Sequence, residues 1–458
     1  KDDDRAGRIH GKVGRMTPSL NEQGITDADL VFRDAVVLDG ERDEAEICDV
    51  AVAQGRILRL FSKEERSKIR AKDEYFCRER KALLPGFVNA HTHVAMTLLR
   101  GLGEETPLKD WLEKHIWPVE GRLKPGHIRI GTQLGVVEMI RGGVTCFGDM
   151  YFHMDEVAKV ATEVGIRCGL CQGLIGNAPL FSLKLKEGIR LYDHWHGKDD
   201  LITVQLGPHA PYTVSPKLLK QVAEAARGLN AGIHIHWLET EWERSYIEQE
   251  LKKDPINLLY ETGLSDVTNL ILAHGVWFPE DRLKEIAKDN ITVVHNPSSN
   301  MKLGSGFAPV SRMLKENVRV ALGSDGAASN NRLDMWLEMR MASLIQKGCY
   351  RDPTLMKSKD MLTMACYAGY KALGFSNVGM IKEGWKADFA VIDLDSPRYI
   401  GWSKENLASF IVFSGSSRDV CGTMVNGKWI YENGEFPTLD YEKVMYDANE
   451  ARKELLAI

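Results

Sequence analysis

The sequence predicts an α/β fold, a closed (β/α)8 TIM barrel carrying a small β-sandwich domain built from both chain ends. Two observations lead there. Between about residues 84 and 383, eight apolar strand-like runs alternate with segments of helical periodicity, the pattern of a parallel sheet joined by crossover helices. On either side of that stretch the helical rhythm gives way to short alternating strands bounded by turn residues.

Taken in order, residues 1–27 are expected to be a leader or disordered tail, with the charged stretch KDDDRAGRIHGKVGR the remnant of a leader. DLVFRDAVVLD and DVAVAQGRILRLF read as strands, so residues 28–83 form the N-terminal part of the β-domain. The barrel strands are KALLPGFVNAH, GVTCFGD, IRCGLCQG, LITVQLGPH, AGIHIHW, NLILAH, ITVVHN and VRVALGSD, within residues 84–383 apart from the first few of KALLPGFVNAH. Between them lie helical patterns such as DEVAKVATEVG and SPKLLKQVAEAARGLN, the latter opened by Ser215 and Pro216, a cap and a favoured first helical residue. An open doubly wound sheet would usually show a Gly-rich phosphate loop after an early strand, and none is visible. Strands return in KADFAVIDLD and DVCGTMVNGKWIYENGEF, where Asn426-Gly427 and Asn433-Gly434 signal hairpins. Residues 384–458 therefore complete the β-domain.

Composition narrows the partners. The 458 residues are 44% hydrophobic with a formal net charge of -5, and the pI near 6.3 offers no field for nucleic acid or an acidic membrane surface. A small molecule is the expected partner. Eight scattered cysteines lack the dense spacing of a secreted disulfide scaffold and suggest a reduced, cytoplasmic protein. No run approaches the roughly 18 apolar residues of a membrane span.

FVNAHTHVAM raises the chemical question. On a strand, residues two apart face the same side, so His91 and His93 point together, and in a barrel the strand's C-terminal end is where catalytic groups gather. His194 and His196 share the spacing but end a helical pattern, where they diverge, and read as surface residues. What strengthens the first pair is that His236, His274, His295 and Asp325 each close another apolar run. Two histidines from one strand, a third from another and a carboxylate make a site for one divalent metal, Zn²⁺ first and Fe²⁺ as an alternative. Such an ion lowers the pKa of bound water from about 16 to about 7.

PGFVNAHTHVAMTLLRG, IHIHWLET, LAHG, HNPSSNMKLGSG and LGSDGAASNN together resemble the amidohydrolase superfamily, most closely its S-adenosylhomocysteine/5'-methylthioadenosine deaminase branch, kin to the triazine hydrolases. The likeness runs from about residue 28 to the C-terminus. It implies that His91, His93, His236 and Asp325 hold the metal. It further implies that Glu239 protonates the ring nitrogen beside the attacked carbon, that His274 helps deprotonate and orient the water, and that Asp325 passes a proton to departing ammonia. Relatives with two metals carry a carboxylated lysine at the end of the fourth strand. Here that strand ends LITVQLGPHAP, so one metal is expected and His209 turns to substrate.

Glu120 in HIWPVEGR matches the carboxylate that receives ribose hydroxyls, while Trp111 and Met96 are expected to wall the nucleoside. Where S-adenosylhomocysteine deaminases present an arginine to the amino-acid carboxylate, this chain has Gln172, with Lys184 a second basic position. A neutral amide cannot make the bidentate charged pair. The preferred substrates are therefore expected to be 5'-methylthioadenosine, adenosine or 5'-deoxyadenosine rather than S-adenosylhomocysteine. The resemblance also implies a homo-oligomer, dimer or tetramer. Cys168-x-x-Cys171 lies in a strand and reads as structural, and His234 and His295 as barrel wall. The alternatives are a hydrolase of guanine, cytosine, a pterin or an s-triazine, and a catalytically dead barrel serving as a binding module.

Overall fold

The structure, a computed structural model, describes residues 25–457. Most of the expected leader lies outside the described residues, and its last two residues open the first strand.

Eight strands form a parallel barrel in the order β13-β12-β11-β10-β9-β8-β7-β6. They are β6 (Phe87–Thr92), β7 (Val144–Tyr151), β8 (Arg167–Leu174), β9 (Ile202–Pro208), β10 (Gly232–Trp237), β11 (Leu270–His274), β12 (Ile291–His295) and β13 (Arg319–Leu322). Nearly every residue on them is buried, as a sheet covered by helices outside and filled with side chains inside requires. Between β13 and β6 the barrel closes through Asp325 N donating to His91 O at 3.0 Å. Ser324 N also donates to Asn89 Oδ1 at 2.9 Å, and Asn89 Nδ2 to Ser324 Oγ at 2.6 Å. The N-terminal mouth is plugged by the helix Tyr367–Ala372 and the turn after it. Thr203 Oγ1 donates to Leu373 O at 2.6 Å and Gln205 Nε2 to Ala372 O at 3.1 Å.

The second sheet has the order β16-β15-β14-β5-β1-β2-β3, with β4 also on β1. It joins β1 (Thr26–Val37), β2 (Glu46–Ala53), β3 (Arg56–Phe61), β4 (Ile69–Phe76) and β5 (Lys81–Pro85) to β14 (Phe389–Asp393), β15 (Val420–Val425) and β16 (Lys428–Glu432). Four ladder spacings separate β1 from β16, about 19 Å if the sheet were flat. Yet the Phe32 and Trp429 rings lie 5.9 Å apart, so the sheet curls over on itself and buries Phe32, Val50, Leu83, Phe389 and Met424 between its halves.

The run KALLPGFVNAH, read from the sequence as one barrel strand, is two. Lys81–Pro85 pairs antiparallel with β14, so the strand crosses the expected 83/84 boundary. The chain turns at Gly86, where a Cβ would lie 2.0 Å from Thr145 Oγ1, and only then enters the barrel. The C-terminal end differs too. The helix Tyr441–Leu456 buries Ala448, Ala451 and Leu455 in the barrel's core cluster, and Arg452 Nη2 donates to Arg100 O at 2.9 Å. A 16-residue amphipathic segment covers more apolar surface on the barrel flank than a short β-sheet edge offers.

The two sheets are tied beneath the barrel. Arg167 Nε and Nη2 donate to Asp388 Oδ2 and Oδ1 at 2.6 and 2.9 Å, both side chains being fully buried. Among the described residues no helix is long and apolar enough to cross a membrane.

Candidate active site

β6 carries the first two histidines, and an irregularity aims them. Val88 packs inside the barrel with Cys146 and Ala321, while Asn89 faces outward toward Met139 Sδ at 3.7 Å. Strict alternation would then turn His91 and His93 outward as well. The register against β7 slips between Asn89 and Thr92, a bulge that shifts the phase and brings both imidazoles to the rim. The segment behind them sits close to the helix Pro125–Arg141, because a Cβ at Gly131 would meet Ala95 O at 2.5 Å and one at Gly135 would meet Val94 Cγ2 at 2.5 Å.

Each imidazole is held by its second nitrogen. His93 Nδ1 faces Met150 O at 2.6 Å and His236 Nδ1 faces His209 O at 2.8 Å. A carbonyl can only accept, so Nδ1 carries the hydrogen and Nε2 turns a lone pair inward. His91 Nδ1 lies 2.8 Å from His234 Nε2, and His91 Nε2 is buried with no hydrogen-bond partner. His93 Nε2 and His236 Nε2 are 3.4 Å apart, and Asp325 Oδ1 lies 3.2 Å from His93 Nε2 and 3.6 Å from His91 Nε2. Two ligands about 2.0–2.1 Å from one tetrahedral ion stand about 3.4 Å apart. These spacings, and the unpartnered His91 nitrogen, fit a single divalent metal. His274 also comes within 4.8 Å of His91 and Asp325 through its ring nitrogen.

Charge follows the same design. Burial drives His91 down to about 4 and His236 well below the usual imidazole range. Burial works against a charge on His93 too, yet the Asp325 carboxylate outweighs it and pushes the group up to about 9. Burial would raise Asp325, but the neighbouring His91 and His93 imidazoles hold it well below the carboxylate range. His91 and His236 are thus neutral and Asp325 ionised, as a dication needs, and the proton that Asp325 favours on His93 is one that a bound dication would displace. The other oxygen of Asp325 is fixed by Ser299 Oγ at 2.6 Å and Ser329 Oγ at 2.7 Å.

Two further groups border these ligands. Glu239 lies just past β10, with Oε2 3.8 Å from His274 Nε2, and burial raises its pKa. His274 ends β11, its Nδ1 2.8 Å from Asn300 Oδ1. Three residues here take left-handed backbone angles: Leu238 (φ 54), His274 (φ 78) and Asp325 (φ 61). Such geometry is uncommon without glycine and collects at functional sites.

All of this opens into a cavity at the mouth of the barrel, where small-molecule sites of this fold are found. One wall holds His93, His236, Glu239, His274 and Asp325; much of the remainder is apolar, including Met96, Leu108, Trp111, Ile116 and Phe152. Trp111 begins a π-helical turn, Trp111–Ile116, and the following turn ends at Glu120. Glu120 Oε1 accepts from Tyr151 OH at 2.6 Å, and burial raises its pKa.

The residues from 82 to 430 match the model of the amidohydrolase family. The chain belongs to the amidohydrolase family. The chain is 44% identical over 377 residues to a 5-methylthioadenosine/S-adenosylhomocysteine deaminase of Dictyoglomus thermophilum, covering 82% of this chain and 88% of that one. It is 43% identical over 378 residues to a 5'-deoxyadenosine deaminase of Methanothermobacter thermautotrophicus, with the same shares covered. The crystal structure of an adenosine deaminase from Xanthomonas campestris with bound zinc superposes with a TM-score of 0.89 at 31% identity, over 95% of this chain and 100% of that one.

Within this amidohydrolase, the residues singled out from the sequence do not all meet. His91, His93, His236, Asp325, Glu239 and His274 converge, and Met96, Trp111, Glu120 and His209 line the same cavity. Gln172 does not line it; on β8 that place falls to Gly173, since neighbouring strand residues face opposite ways. Lys184 stands outside the wall, its ammonium 6.0 Å over the Phe152 ring. His194 and His196 are exposed. Cys168 and Cys171 are buried thiols whose pKa values burial pushes well above the usual range. Sequence reasoning did not single out Tyr151, Tyr212 or Ser329 on the cavity wall. Ser329 sits on the short helix Ala327–Asn330 that follows Asp325, where its hydroxyl reaches back to the carboxylate.

Proposed function

We propose that this protein is a metal-dependent aminohydrolase that replaces the exocyclic amino group of the adenine ring in 5'-modified adenosines, releasing ammonia and leaving the inosine analogue. The single observation that supports it best is the placement of Glu239 and His274 beside the ligand cluster, at one end of a cavity that presents Glu120 as a second carboxylate. We propose zinc as the metal, on the all-nitrogen-and-oxygen donor set and its near-tetrahedral spacing.

The bound ion would supply acidified water and polarisation. The chain's own groups do the rest. Glu239, whose pKa burial raises, donates a proton to the ring nitrogen next to the attacked carbon. That transfer removes charge from the ring as the carbon becomes tetrahedral. His274 keeps its Nδ1 hydrogen on Asn300 Oδ1, leaving Nε2 to receive and orient the water's proton. Asp325, with one oxygen pinned by two serines, carries a proton onward to the leaving amine. Glu120 receives the ribose hydroxyls, and His209, neutral because burial drives it down to about 3, faces the base. The largely apolar surround suits a thioether or methyl at the 5' position better than a charged amino acid, so 5'-methylthioadenosine, 5'-deoxyadenosine and adenosine rank ahead of S-adenosylhomocysteine. Eight free thiols support a reducing, cytoplasmic setting.

The test is a substrate panel at equal metal occupancy, followed by the ultraviolet change of adenine deamination, with His91→Ala and Asp325→Ala alongside. Turnover of the adenosines, lost in both variants while folding is kept, is the expected result. Turnover confined to guanine or a triazine, or variants that work at full speed, would refute the reading.

A further inference from the structure

Glu243 has no role in the chemistry just described, yet it is a fully buried carboxylate. Its two oxygens reach backward. Oε1 accepts from Leu238 N at 2.7 Å and Oε2 from Glu239 N at 3.0 Å. Thr240 caps the short helix Glu241–Ser245, its hydroxyl accepting from Glu243 N at 3.1 Å. Thr240 and Glu243 thus have the spacing of a capping box, in which the third helical residue returns to the amide of the cap itself. Here the carboxylate passes that amide by and clasps the two amides before it.

Those two amides belong to the turn that leaves β10. Leu238 is buried and left-handed, a backbone state that a branched side chain disfavours and that surrounding contacts must maintain. Leu238 O accepts from Trp277 N at 3.0 Å and Trp237 O from Gly275 N at 3.0 Å, so the turn is held from the β11 side as well. Glu243 supplies the hold from its own side. The direction in which Glu239 leaves the backbone, and hence where its carboxyl stands relative to His274, depends on this turn.

We infer that Glu243 is a positioning residue that fixes Glu239 for proton transfer, by clasping the Leu238 and Glu239 amides in the left-handed turn. The inference rests on the reading of Glu239 as the proton donor. The distinguishing feature is that both amides need acceptors. A carboxyl offers an oxygen to each; a Gln side chain offers one oxygen and an NH₂ that meets the second amide donor to donor.

The experiment compares Glu243→Gln and Glu243→Asp in the metal-loaded, full-length enzyme, measuring kcat, KM and metal content, with Glu239→Gln as the control. Glu243→Gln is expected to lose about tenfold to a hundredfold in kcat with KM and metal content within about twofold of the parent. Glu243→Asp, shorter but still able to accept, is expected to keep more activity than the isosteric Gln. A role in mere space-filling predicts the reverse order. An undiminished kcat in Glu243→Gln, or Gln outperforming Asp, would overturn the inference. If Glu243→Gln does not fold, Glu243→Ala, which has no acceptor, takes its place: lowered kcat at unchanged KM and metal content supports the clasp, and unchanged kcat removes it. Full turnover in Glu239→Gln would instead strike down the proton-donor reading, a result distinct from failure of the clasp.

Discussion

Asp388→Asn tests whether stability and chemistry are separated along the barrel axis. Asp388 receives Arg167 Nε at 2.6 Å, Arg167 Nη2 at 2.9 Å, Asn426 N at 2.9 Å and Tyr370 OH at 3.3 Å. The amide keeps the shape but removes the charge, leaving the fully buried guanidinium only the exposed Asp200 carboxylate at 3.7 Å as a counter-charge. Breaking a buried pair in this way costs about 3–5 kcal/mol. For 458 residues, an unfolding entropy of about 2.1 cal/mol/K per residue gives about 1 kcal/mol per kelvin. The melting temperature should therefore fall by about 3–5 °C. Differential scanning calorimetry on metal-loaded enzyme measures this, and kcat at 25 °C should be unchanged because the pair lies under the end opposite the cavity. A melting temperature within about 1 °C of the parent, or a kcat that falls with it, would refute the assignment of Arg167 and Asp388 to a purely structural tie.

The other expectations concern the site and its supports. Glu239→Gln should lower kcat by about a hundredfold to ten-thousandfold, the usual worth of a placed proton donor, while equilibrium dialysis shows substrate still bound. Stripping the metal with a chelator should abolish turnover and, for a metal formerly present at about 1,000 times its Kd, remove about 4 kcal/mol of stability; zinc should restore both in a thermal melt. Glu120→Gln should raise KM about ten- to a hundredfold for adenosines, from lost charged hydrogen bonds of about 1.5–3 kcal/mol, and leave any turnover of free adenine unaltered. Glu338 gives a pH test. Burial raises it from 4.5 to about 7, so the fold prefers the neutral form. Its stabilisation is complete below pH 4.5 and is lost as pH rises through 7, about 3 kcal/mol in all. In urea titrations the stability of the parent relative to Glu338→Gln should decline by that amount between pH 4.5 and 8; a flat difference would show that Glu338 is ionised in the fold throughout.

The barrel was legible because its period is coarse: eight apolar runs with helices between them survive errors of several residues at each boundary. The ligand pair was legible for a related reason, since His91 and His93 share a face whichever face that is. Which face it is depends on a slip against β7, and pairing partners are not written in one strand's sequence. The same holds at Gly86, where an unbroken apolar run serves two sheets because Thr145 leaves no room for a straight path. Glu243 was hidden most completely. Its sequence spacing from Thr240 signals a helix start, and nothing local tells that its oxygens pass the cap for the strand end. Gln172 went the other way, chosen by likeness at a position that the pleat of β8 turns from the cavity.

The barrel's last joint has a consequence for how the protein comes off the ribosome. His91 leaves the exit tunnel early and Asp325 later, yet the hydrogen bond between them is one of those that shut the ring. Lys81–Pro85 likewise waits for Phe389–Asp393 before its edge is covered. A nascent chain halted short of Asp325 exposes two open strand edges and lacks the carboxylate of the ligand cluster, so the cluster is complete only once Asp325 has emerged.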